Sequence, residues 1–137
     1  MARLFCNANI YALDVLHMDH VWDDIKCNDR INLITSTDAY NEDFFNSYFL
    51  YKNLKFDVLL DDGPHTIESM KQFIKLYTNI MTEDGVLIIE DVQHMDWIQE
   101  LTNVVPEHLQ KYVEVYDLRC VKQRYDDIVF VIHKKIN

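Results

Sequence analysis

Short apolar runs alternate with longer amphipathic ones along this chain. NIYALDV (9–15), INLIT (31–35), FDVLLD (56–61) and GVLIIE (85–90) are rich in Ile, Val and Leu and bounded by polar clusters, which predicts strands. Between the last two, IESMKQFIKLYTNIM (67–81) sets Ile67, Met70, Phe73, Ile74, Tyr77, Ile80 and Met81 at three- and four-residue spacing, with Lys71, Lys75 and Asn79 between them. That periodicity predicts an amphipathic helix. FFNSYFLYKN (44–53) and DWIQELTNVV (96–105) also read as helices, the second stopped by Pro106. The aromatics of the first are core candidates. HMDHVWDDIKC (17–27) reads as a short polar helix or loop with Met18, Trp22 and Ile25 on its buried side. EDG (83–85) is a turn, and Gly85 suits the helix exit or the turn itself. YVEVYDL (112–118) and DIVFVIHK (127–134) are β-rich runs joined by a polar, basic loop. With no helix between them, they should pair antiparallel.

Strands separated by helices imply crossovers and a parallel sheet, and the closing pair makes that sheet mixed. Short, fully apolar strands fit burial on both faces. The expectation is one α/β domain over all 137 residues.

Composition narrows the partners. A net charge of −10 disfavours nucleic acid, because phosphate contacts need clustered Lys and Arg. The basic residues Lys122, Arg124, Lys134 and Lys135 are diluted by Asp126 and Asp127 and read as a solvated face. No run approaches the length of a membrane span, and MARLFCNANIYALDV is a poor signal peptide. No membrane association and a reducing cytoplasm are therefore expected. Cys6, Cys27 and Cys120 lie far apart without a C-x-x-C pair, so they read as free thiols, core or incidental.

The acids carry the candidate chemistry. Ligands of open α/β sheets bind beyond the carboxyl ends of the strands. There this chain has Asp14, Asp38, the pair Asp61–Asp62 and the pair Glu90–Asp91. Clustered carboxylates raise one another's pKa unless a cation is present. Oxygen ligands favour a hard ion such as Mg²⁺ or Ca²⁺. Asp62, Glu90 and Asp91 are the expected ligands; the structural alternative is that these acids cap helices or complement their dipoles. His65 follows a Gly63–Pro64 turn, with Pro64 a candidate to begin the next helix. It is a candidate general base or simply an exposed or capping His. His17, His20 and Asp24 could share one helical face, more readily as surface residues than as a metal site.

NIYALDV, TSTDAY, FDVLLDDGPHTIESM and GVLIIEDVQ together resemble a known family. Over about Asn9 to Lys134 the chain is similar to class I S-adenosylmethionine-dependent methyltransferases, most of all the magnesium-dependent macrocin-type sugar O-methyltransferases. The resemblance implies a Rossmann-like, mostly parallel sheet with an antiparallel C-terminal strand pair. It implies S-adenosylmethionine and Mg²⁺ as cofactors and a small-molecule or sugar hydroxyl as acceptor. Asp14 would accept from the donor ribose and Asp38 would lie near the adenine. Asp62, Glu90 and Asp91 would hold Mg²⁺, and His65 would take the acceptor proton. The family's first strand and its Gly-rich donor-binding turn have no counterpart here: Gly63 and Gly85 are the only glycines. A missing central strand would expose strand edges, so homo-oligomerisation or rearrangement is expected. A catalytically inactive oligomeric binding module and a metal-dependent hydrolase are the two other readings of the same residues.

Overall fold

The structure is a computed structural model and describes residues 7–134; Cys6 and Lys135 lie outside the described residues. The chain divides into two compact units, one up to Phe44 and one from Phe45 onward. The architecture is mixed α/β, with two parallel and two antiparallel strand pairings.

The first unit is built on β1 (Ile10–Leu13) and β2 (Ile31–Ile34), paired in parallel as a two-stranded sheet. The connection holds a 3-10 turn at Met18–His20 and a short helix, α1 (Asp23–Lys26). Val21 is extended between them, so the segment does not form one continuous helix and His17, His20 and Asp24 share no helical face. Trp22, expected inside, is 79% exposed, while Ile25 is half-buried. A four-residue helix offers too little apolar surface to cover an indole. No described residue before Phe45 is fully buried.

The second unit begins within α2 (Glu42–Phe45), which continues as a π-helical turn over Asn46–Leu50. Phe45 and Phe49 enter the core, whereas Tyr51 points to solvent. Phe45 and Phe49 each meet Tyr77 edge-on, at centroid distances of 5.0 and 5.8 Å.

Four strands follow: β3 (Phe56–Asp61), β4 (Met81–Ile89), β5 (Val113–Asp117) and β6 (Ile128–His133). Their spatial order is β3-β4-β6-β5. β3 and β4 are parallel, and β6 runs antiparallel to both of its neighbours. The antiparallel pair is as expected, but β6 takes the inner place. Ile128, Phe130, Val131 and Ile132 are buried there, while the acid-bearing VEVYD of β5 suits an edge. Burial on both faces does not hold for β3, where Val58 is 42% exposed.

The crossover helix α3 (Ile67–Tyr77) buries Met70, Phe73, Ile74, Leu76 and Tyr77. It then tightens into a 3-10 turn at Thr78–Ile80, and Met81 is already extended. β4 thus starts earlier than its apolar pattern indicates. The EDG segment survives as an excursion: Phe56 pairs with Met81, but Val58 pairs with Val86. Two helices, α4 (Trp97–Val104) and α5 (Glu107–Gln110), connect β4 to β5, and Lys71 of α3 pairs with Glu100 of α4. The basic loop between β5 and β6 contains one helical turn, α6 (Arg119–Lys122). Cys27 and Cys120 are free and exposed, so neither is a core residue. No helix among the described residues is long and apolar enough to cross a membrane.

Candidate metal centre

β3 and β4 run side by side in the same direction, so the residues leaving them emerge together. A backbone hydrogen bond from Glu90 N to Asp61 O, 3.0 Å, extends the pairing to the point of exit. Beyond it, ligand atoms of Asp62, His65 and Asp91 all lie within 4.8 Å of one another. Among the described residues this is the one His, Cys, Asp and Glu grouping with such spacing. Asp61 stays behind as a buried residue at the end of β3.

Local backbone shape creates the cluster. His65 and Asp91 both have φ 53°, in the left-handed region, which non-glycine residues rarely occupy and which His and Asp tolerate better than most. Neither glycine has positive φ, so the reversal after the Gly63–Pro64 bend falls on His65 itself. Helix α3 does not begin at Pro64: Thr66 is its N-cap, in a reciprocal capping box with Ser69. Asp96 occupies the N-cap position of α4. The acids at 61, 62, 90 and 91 therefore cap neither helix.

The three side chains differ in environment. Asp62 is largely exposed, whereas the Asp91 side chain keeps 20% of its exposure and that of His65 27%. His65 Nε2 is sealed from solvent and has no hydrogen-bond partner among the described residues. It lies 3.4 Å from Asp62 Oδ1. That distance makes an ion pair with Asp62 when the imidazole is protonated, and Asp91 completes the group. Glu90, expected as a ligand, lies outside the cluster.

Sequence reasoning missed Arg124. Its Nη2 lies 3.4 Å from Asp91 Oδ2, and its Nε lies 3.4 Å from Asp126 Oδ1. Asp126, Asp127 and Asp91 raise the guanidinium's pKa, in that order of effect, by favouring its charged form. No motif marks Arg124; its only signal is a lone cation beside two acids in QRYDD.

The other predicted residues belong to the first unit. Asp14 leaves β1 and accepts from Leu16 N at 2.8 Å through Oδ1. Asp38 follows β2 and accepts from Tyr40 N at 2.9 Å. The loops after the two strands are tied by Thr37 N to Asp14 O, 3.0 Å, and Ser36 N to Leu16 O, 2.9 Å. Asp14, His20, Val21, Trp22 and Ile25 line an open pocket of about 270 Å³.

No protein-family model matches this chain. Nor is any curated protein significantly similar to it. The chemistry must therefore be argued from the cluster itself. Two carboxylates and one imidazole are a fitting donor set for a divalent cation. Mg²⁺ is commonly held by one or two carboxylates and keeps several waters, and a nitrogen beside such an ion can accept a proton.

Proposed function

We propose that this chain is a methyltransferase-like domain, Rossmann-like in its second unit, with a divalent-cation site at the ends of β3 and β4. The observation that carries the reading is the convergence of Asp62, His65 and Asp91 beyond two parallel strands. Asp62 and Asp91 would hold Mg²⁺. When bound, such an ion supplies Lewis acidity that lowers the pKa of a hydroxyl on a small molecule or sugar. His65 Nε2 would take the proton that the hydroxyl releases. The place of that nitrogen supports this role: it is closed to bulk solvent and lies 3.4 Å from the Asp62 carboxylate, which would favour the protonated imidazole.

The donor side is less complete. Asp14 and Asp38 follow two parallel strands and offer carboxylates suited to a ribose and an adenine amine. A second reading rests on the same cluster: a binding module that keeps the cation site without methyl transfer.

Titration calorimetry with S-adenosylmethionine and S-adenosylhomocysteine, with and without Mg²⁺, separates the two. Donor binding supports the methyltransferase; silence at millimolar ligand leaves the binding module. The cation site is tested by melting. Mg²⁺ should raise the melting temperature of the wild-type chain, by about 2.7 kcal/mol of linkage at a hundredfold excess over Kd. Asp62→Ala combined with Asp91→Ala should abolish the rise, and Glu90→Ala should leave it. Loss of the rise in Glu90→Ala alone would restore Glu90 as a ligand.

A further inference from the structure

The acid cluster already has a cation in attendance, and it belongs to the chain. Arg124 lies on the segment between β5 and β6. That segment is closed at its base by a hydrogen bond from Leu118 N to Asp127 O, 2.8 Å. A second bond, Val92 N to Ile128 O at 3.0 Å, fixes the start of β6 beside the Asp91 turn. The base is thus anchored to the strand ends. The tip is not: Val121 and Tyr125 are 78% and 67% exposed. Gln123 is left-handed at φ 59° and reverses the chain just before Arg124.

The contact at the tip is loose. Arg124 offers one nitrogen to Asp91 at 3.4 Å and another to Asp126 at 3.4 Å, and its side chain is 56% exposed. Arg119 on the same segment makes a contrast. It grips Asp117 through Nε at 2.8 Å and Nη2 at 2.7 Å, the two-pronged arrangement a guanidinium favours. Arg124 gives up that geometry and divides itself between two acids. Asp91 is the more enclosed carboxylate of the cluster, so it has the greater need of a countercharge.

We propose that Arg124 is a built-in competitor for the cation site: it occupies Asp91 when no metal is bound, and it must swing aside for a divalent ion to bind. The inference rests on the cation-binding reading above. A guanidinium and a divalent ion on one carboxylate are like charges a few ångströms apart, and each weakens the other's hold. The segment from 119 to 126 then acts as a strap. Its tip covers the strand ends without metal and is released with it, while the closed base keeps β5 and β6 in register.

The test uses Mn²⁺ alone as the probe, followed by electron paramagnetic resonance of the free ion, on the full chain. Arg124→Gln should bind Mn²⁺ about threefold to fivefold more tightly than wild type, the range for removing a partly exposed ion pair. Arg119→Gln removes the same charge from the same segment, but its guanidinium is committed to Asp117; it should change the affinity by less than about 1.5-fold, given screening at physiological salt. In wild type, added Mg²⁺ should move the Nε–H resonance of Arg124 and leave that of Arg119 in place. Mn²⁺ binding by Arg124→Gln when wild type binds none also supports the strap. Equal gains in the two variants, or an Arg124 resonance unmoved by saturating Mg²⁺, overturn it while leaving the cation site intact. Failure of all three proteins to bind Mn²⁺ at millimolar concentration removes the cation site, and the strap with it.

Discussion

Asp117 and Arg124 show how differently two charged side chains of one segment are held. Asp117 accepts from the side chain and the backbone of Arg119, and the side-chain hydrogen bonds lower its pKa to about 2. Its carboxyl resonance should titrate near that value, and Arg119→Ala should return the midpoint to the ordinary range of about 3.9. An unshifted midpoint in the wild-type chain would show that the fork is open in solution. Because the folded value is depressed, the pair's contribution to stability is complete above the unfolded pKa and is lost as pH falls toward the folded one. At this scale the sequence was only partly legible. Asp62, His65 and Asp91 could be named from strand-end acids and a turn. The position of Glu90 outside that grouping and the approach of Arg124 could not, because they depend on side-chain direction and on a contact 33 positions along the chain.

Gly85 sets the limits of what periodicity reveals about elements. The apolar pattern located β3 and α3 closely and found the hairpin of β5 and β6. It placed Gly85 in a turn at a helix exit, yet its backbone is not left-handed. What Gly85 provides is room. A Cβ there would lie 3.1 Å from Phe56 O, Thr82 N and Thr82 O. All three are backbone atoms and cannot rotate away, and Gly85 O accepts from Lys134 N at 3.0 Å. The excursion of residues 82 to 85 folds against β3 at that point. Gly85→Ala should therefore destabilise the fold by roughly 1–3 kcal/mol, the usual cost of forcing a methyl into a packed site. Urea unfolding checks it: a midpoint unchanged from wild type would mean that the excursion relaxes. A close approach of backbones leaves no trace in hydrophobic patterning, which is why the sequence suggested a turn.

Across the molecule, the apolar residues are unevenly covered. The core residues Phe45, Ile74, Leu87, Ile89, Leu101 and Phe130 all belong to the second unit. In the first unit, none of the residues of β1 and β2 is buried, although seven are Ile, Leu, Ala or Tyr. Half-covered apolar strands with open edges favour pairing with another chain. On that ground we propose self-association, which the sequence also led us to expect. Multi-angle light scattering at tens of micromolar should give a mass above the 16.4 kDa of one chain; a monomer across that range removes the expectation. The parallel pairings were legible from alternating strands and helices. The division into two units was not, because hydrophobic runs do not disclose which of them share a core.

The position of the core also decides what a melting experiment can see. Heat capacity and unfolding enthalpy scale with the surface exposed on unfolding, and here that surface is concentrated beyond Phe44. A calorimetric transition of this chain is thus chiefly a signal from one of its two parts. A cation held by Asp62 and Asp91 would bind within that part and register in it. A nucleoside settling beside Asp14 and Trp22 would instead bias local opening of the part in which no described residue is buried. It would be read in amide exchange or chemical shifts while the melting curve stayed silent.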